Sequence, residues 1–209
     1  MFRSLLAAAS IGALTAFPVM AEQHTSGDSS EEMSESDATQ GTGETSGESS
    51  GDMSGEIGDS GFVTAARASV SDTDGNEIGT VTINRTLSGT PLVIVALTDI
   101  PEGGHGIHLH ETGDCSAGDF TSAGGHIAGD ADHGVFAENG PHPGDLPNAI
   151  VGSDGSMNVE AFASGLDIDA MIMDDDGAAF IVHAGEDDYI TQSAGDSGAR
   201  IACGVFEPA

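Results

Sequence analysis

An all-β fold, a β-sandwich or flattened barrel, is what this sequence predicts, on three observations. Short apolar runs recur between Gly- and Asp-rich turns, and no stretch of useful length carries a helical period. The composition, with 31 Gly, no Trp, one Tyr and eight Phe in 209 residues, also disfavours a helical bundle. The first strand is expected from Phe62 to Val70, and Asp72-Thr73-Asp74-Gly75-Asn76 turns the chain into a second from Glu77 to Thr86. There Val81 and Ile83 alternate with Thr80 and Thr82, the two-residue period of a half-buried strand. Leu92 to Leu97 is a continuous apolar run of buried-strand length. Gly106 to Glu111, Ser156 to Phe162 after the Asp154-Gly155 turn, Ala179 to His183, and Arg200 to Phe206 complete seven or eight strands. Two long polar stretches interrupt them, Thr112 to Pro147 and Ala184 to Ala199. Loops of that length in a compact domain are functional or disordered, and both of these are bordered by histidines.

Residues 1–21 read as a signal peptide: Arg3 gives the positive start, Leu5 to Phe17 the apolar stretch, and Val19-Met20-Ala21 a small-residue cleavage site. A membrane anchor is the alternative, but this apolar stretch is shorter than the ~20 residues that span a bilayer. No Cys stands near the cleavage site to carry a lipid. Residues 22–60 are a Ser-, Gly-, Glu-, Asp- and Thr-rich tract with 11 acidic and no basic residues. It has too little apolar surface to offset the entropy of ordering, so a disordered linker is expected, with His24, Met33 and Met53 incidental in it. A domain is expected over 61–209. Export to a periplasmic or extracellular compartment would oxidise the two cysteines, Cys115 and Cys203, which then form a natural pair.

Charge narrows the function classes. The chain has 35 acidic residues, four Arg and no Lys, for a formal charge of −31. Nucleic-acid binding needs cations to neutralise phosphates, so it is excluded. Anionic membranes should repel the chain once the signal is cleaved. Solubility, in a salty habitat for example, is the plain reading of the acidity. Removing the linker's 11 acids leaves 24 on residues 61–209 against Arg67, Arg85 and Arg200, a charge of about −21.

The chemistry concentrates in the histidines. Seven of the eight lie between residues 105 and 183. In Gly104-His105-Gly106-Ile107-His108-Leu109-His110, residues two apart on a strand share a face. His108 and His110 can therefore reach one ion while Ile107 and Leu109 face the core. Alone, such a pair could equally be two hydrogen-bonded surface histidines. His126, His133 and His142 follow, with Asp145 three residues further on. Three imidazoles and a carboxylate suit a closed tetrahedral zinc site. His183 ends a strand and could close a copper site with His108 and His110, because several imidazole nitrogens favour Cu(II).

Four stretches carry a family resemblance: Gly-His-Gly-Ile-His-Leu-His-Glu-Thr-Gly-Asp-Cys (104–115), Asp-Phe-Thr-Ser-Ala-Gly-Gly-His (119–126), His-Pro-Gly-Asp-Leu-Pro-Asn (142–148) and Gly-Ala-Arg-Ile-Ala-Cys-Gly-Val (198–205). In order and spacing, residues 62–208 resemble the copper-zinc superoxide dismutases, in the exported bacterial form. The resemblance implies a Greek-key β-sandwich or flattened eight-stranded barrel with two long functional loops. It implies one copper and one zinc per subunit, and superoxide as substrate. His108, His110, His126 and His183 would hold copper. His126, shared between the metals, would hold zinc with His133, His142 and Asp145. Arg200 would dock the anion, and His126 would also carry a proton. Asp187 would link the two metal sites from behind their histidines, Cys115 and Cys203 would form the family disulfide, and His105 would be structural. A homodimer is compatible with the resemblance.

The sequence departs from the family pattern in two places. The interval from His126 to His133 is one residue shorter than usual, which leaves His133 open to a plain loop role. The stretch Ala184 to Ala199, where the family usually carries basic residues, has Glu186, Asp187, Asp188 and Asp196 and no base before Arg200. The competing function is a metal store or copper-delivery module of the same fold without turnover. Relatives of that kind lack copper ligands or the arginine, and here all of them are present. A purely structural or adhesive sandwich has no use for the histidine set.

Overall fold

The computed structural model describes residues 61–209; the signal peptide expected over 1–21 and the linker expected over 22–60 lie outside them. β1 (Phe62–Asp72) and β2 (Glu77–Thr86) form an antiparallel hairpin. Asp72 makes its turn, the Oδ1 atom accepting the N–H groups of Asp74 and Asn76 at 2.9 and 2.8 Å. β3 (Leu92–Leu97) pairs with β2 so that Val81 faces Val95 and Ile83 faces Val93. Further along come β4 (Gly103–His105), β5 (Ile107–His110), β6 (Ala149–Val151) and β7 (Met157–Phe162). The one-turn helix α1 (Ile168–Met171), β8 (Ala179–His183) and β9 (Arg200–Pro208) complete the set.

Seven strands make one antiparallel sheet in the order β5-β8-β9-β1-β2-β3-β7, and β4 pairs with β6 in a second, two-stranded sheet. The last strand is thus hydrogen-bonded beside the first, with Ala68 opposite Phe206. Alternate residues point inward to one core that includes Val81, Ile83, Val95, Leu97, Ile107, Leu109, Met157 and Phe180. Among the described residues no helix is long and apolar enough to cross a membrane.

The sequence-based limits hold for β2, β3 and β8. The strand expected from Gly106 to Glu111 is β5, one residue shorter at each end, and a separate short strand, β4, precedes it. The break between them is Gly106, whose N–H goes to the Gly185 carbonyl at 2.8 Å and whose carbonyl takes the His183 N–H at 2.9 Å. At that point the chain passes from the two-stranded sheet to the large one. β6, at three residues, is too short for periodicity to reveal. α1, also unforeseen, starts where the Asp167 side chain caps the N–H groups of Asp169 and Ala170.

The stretch 112–147 packs on the outside of β8 and β9. Phe120 and Ala123 meet Ala179, Ile181 and Cys203 in a second apolar cluster, with Cys115 against it. The Cys115–Cys203 disulfide pins that contact. It joins residues 88 apart in sequence. A crosslink over that span disfavours the unfolded chain by about 4–5 kcal/mol in the chain-entropy account.

Candidate metal centre

On β5 both faces are buried, for different reasons. Ile107 and Leu109 enter the core, whereas His108 and His110 lie beneath the long loops. The 112–147 loop is hydrogen-bonded along this strand. The Leu109 N–H goes to the Gly144 carbonyl, the Ile127 N–H to the Leu109 carbonyl and the Gly144 N–H to the Ile127 carbonyl, all at 2.9 Å. These bonds set His126 opposite His110 and Asp145 opposite His108. Only glycine fits at 144, because a Cβ there would sit 2.5 Å from the Leu109 carbonyl oxygen. His183, the last residue of β8, pairs with Arg200, the first of β9, so both stand at the same end of the sheet.

The side chains converge in two groups. His108, His110, His126 and His183 form one; His126, His133, His142 and Asp145 form the other. Within each group the nearest donor atoms lie within 4.8 Å of one another. In the first, Nδ1 of His108 and Nε2 of His110, His126 and His183 are buried without a hydrogen-bond partner. Four orphaned ring nitrogens aimed at one point would cost several kcal/mol in total, at about 1–3 kcal/mol each. A cation taking all four lone pairs removes that cost, so the residues fit a copper ion. In the second group, Nδ1 of His126, His133 and His142 lie 2.9, 3.0 and 3.2 Å from Asp145 Oδ1. That cluster of three nitrogens and one oxygen fits zinc. His126 is the residue common to both, with one ring nitrogen turned to each group. His133 joins its group despite the shortened interval before it.

Behind the groups, Asp187 receives His108 Nε2 on Oδ2 at 2.9 Å and His133 Nε2 on Oδ1 at 3.0 Å. The same carboxylate thus orients one ring from each group. Asn148, which sequence reasoning passed over although it ends a quoted motif, holds Asp187 in place. Its Nδ2 donates to the Asp187 carbonyl and its Oδ1 accepts the Asp187 N–H, both at 2.8 Å. His105 joins neither group; its ring nitrogens lie 2.7 and 2.8 Å from the carbonyls of His183 and Pro101. The Arg200 guanidinium donates to the carbonyls of Phe120 and Gly124, each at 2.6 Å. It lines a shallow pocket with Asp119, Thr121, Gly198 and Ala199.

Burial is the main force on the titrations. It pushes His110 down to about 2, His183 to about 3 and His126 to about 4, and neighbouring rings add to each shift. Burial alone would raise Asp187, but hydrogen bonds from His108, His133 and the Tyr189 N–H hold it at about 2. Asp145 is held well below the usual carboxylate range in the same way, by His126 and the Gly134 N–H. In the metal-free protein every one of these shifts makes the folded state bind fewer protons than the unfolded state. Stability is therefore intact above pH 6.5 and is lost as pH falls, first through the three histidines and below pH ~4 through the two aspartates. At pH 5 each of the three rings contributes a loss on the order of 2 kcal/mol. The melting temperature of chelator-treated protein is thus expected to fall steeply between about pH 7 and pH 5. A flat profile across that window would show that the rings are not buried as described.

The copper/zinc superoxide dismutase (SODC) family matches residues 77–206 of the chain. A superoxide dismutase [Cu-Zn] from Caulobacter vibrioides is 36% identical over 150 residues, 68% of this chain and 86% of that protein. Among solved structures, a double mutant of a SOD-like protein from Bacillus subtilis superposes with a TM-score of 0.65 at 34% identity, covering 69% of this chain and 97% of the other. The Cu/Zn superoxide dismutase from Brucella abortus superposes with a TM-score of 0.58 at 29% identity, covering 68% and 99%.

Proposed function

The chain belongs to the copper/zinc superoxide dismutase family, and from that premise we propose which of its residues do which part of the work. The enzyme dismutes superoxide: two superoxide anions and two protons give one O₂ and one H₂O₂. When bound, copper supplies the one-electron oxidation and reduction that this needs, and zinc a fixed charge that holds the loop. His108, His110, His126 and His183 would hold copper. His126, His133, His142 and Asp145 would hold zinc. The four partnerless nitrogens carry this assignment.

The protein's own groups do the rest. Arg200, tethered through two carbonyls, presents its remaining N–H groups to an anion beside His110 and His183. His126 would hold a proton at Nε2 for delivery to the reduced product whenever that nitrogen is not given to copper, while its Nδ1 stays with the Asp145 group. Asp187 keeps the rings of His108 and His133 in their working tautomers. The test is superoxide dismutation by the copper- and zinc-loaded chain beside a His110→Ala variant. The wild type should turn over and the variant should not. Wild-type protein that binds both metals without turnover would favour the storage or delivery reading.

The acidity sets the rate law at low salt. A domain of about −21 repels its anionic substrate until ions screen it. The rate should therefore rise from ~10 mM to ~200 mM salt. A steady fall would mean that the local field of Arg200 dominates.

Residues 1–21 as an export signal and 22–60 as an acidic linker belong to the same proposal, on composition alone. The disulfide supports an oxidising compartment, periplasmic or extracellular. Exposed Val135, Phe136 and Ile190 give a homodimer a candidate face, which sedimentation would test.

A further inference from the structure

The geometry points to Glu111, a residue with no role in the assignment above, as a positioning residue for both His110 and Arg200. It would act through the single peptide group that joins Gly124 to Gly125. The carbonyl of that peptide accepts from Arg200 Nη2 at 2.6 Å and lies 3.0 Å from His110 Nδ1. The N–H of the same peptide, on Gly125, donates to Glu111 Oε1 at 3.1 Å. The Glu111 backbone N–H in turn donates to the Gly125 carbonyl at 3.0 Å. One residue therefore grips Gly125 by both its backbone groups.

A peptide group is planar, so fixing the direction of its N–H fixes that of its carbonyl. Gly124 has φ +75°, a region where glycine moves freely and other residues do not. A Cβ there would lie 3.0 Å from Glu111 Cγ and Oε1. Without the carboxylate, the N–H side of this flexible peptide loses its partner, and only the groups to be positioned, Arg200 and His110, would hold it through the carbonyl. The bond also polarises it: a carboxylate on the N–H makes the carbonyl a better acceptor. A better acceptor on His110 Nδ1–H raises the basicity of Nε2, the atom with no partner of its own. Arg200 and His110 are thereby set from one point, the first for the anion and the second for the metal.

This inference rests on the metal assignment proposed above, and its test separates the two. Copper- and zinc-loaded wild type, Glu111→Ala and Glu111→Gln are titrated with azide, an anion that reports the docking position by its charge-transfer absorption on Cu(II). The Cu(II) electron paramagnetic resonance spectrum reports the His110 donor, and a melting curve reports folding. Glu111→Ala should weaken azide binding by roughly fivefold or more and shift the copper spectrum. Glu111→Gln keeps an acceptor oxygen at the same reach and, although neutral, should restore most of both. If Glu111→Ala does not fold, Glu111→Asp takes its place: it keeps the charge but loses the reach, and should fold with the same weakened azide binding and shifted copper spectrum. Wild-type azide affinity and spectrum in Glu111→Ala, or equal defects in alanine and glutamine, would overturn the inference. Wild type that shows no azide band at all would instead overturn the metal assignment.

Discussion

Replacing His126 by alanine is expected to empty both metal groups at once and to lower the dismutation rate by on the order of a hundredfold or more. No other side chain in the centre has this reach. Its Nε2 is one of the four partnerless nitrogens, and its Nδ1 lies 2.9 Å from Asp145 Oδ1. The substitution takes one donor of four from each group. His142→Ala makes the contrast, because His142 belongs to the second group alone and should cost zinc while leaving copper bound. Metal analysis after dialysis, run beside the rate assay, distinguishes the two variants. Full retention of both metals by His126→Ala would mean that the ring is not shared.

The second large effect is on Arg200. Arg200→Ala should retain both metals yet lose between about tenfold and a hundredfold in rate at low substrate, as expected when a preorganised donor to a charged reactant is removed. The tether explains why the loss should come from binding the anion. Two carbonyls at 2.6 Å hold the fork, so its free N–H groups have one direction. Arg200→Lys keeps the charge but not the paired tether, and should recover only part of the rate. Metal content equal to wild type makes the comparison clean. A rate for Arg200→Ala within about twofold of wild type would show that the anion does not use this cation.

How far the sequence foretold this centre follows from the reach of each signal. The two-residue spacing of His108 and His110 is a local signal, and the alternation of β5 delivers it, with Ile107 and Leu109 in the core. The limits of β2, β3 and β8 rest on the same kind of local pattern. The break at Gly106 was hidden, because it depends on Gly185 and His183, some 80 positions away. The choice between Nδ1 on His108 and Nε2 on its neighbours was equally hidden, since it is fixed by Asp187 and by the Gly124 carbonyl. Asn148 and Glu111 left no trace for the same reason. Each acts by hydrogen bonds to backbone that the fold brings near, and a glutamate at the end of a strand looks like any other. The family resemblance supplied the roles of Asp187 and Arg200, which spacing alone did not.

The central claim is that four imidazoles take one copper ion and share one ring with a neighbouring zinc. Anomalous diffraction from crystals of the copper- and zinc-loaded chain, collected on either side of each metal's absorption edge, tests it most directly. A copper peak is expected among His108 Nδ1 and the Nε2 atoms of His110, His126 and His183. A zinc peak is expected among the Nδ1 atoms of His126, His133 and His142 and the Asp145 carboxylate. Copper bound at any other set of side chains, or a single peak with His126 on only one ion, would contradict it.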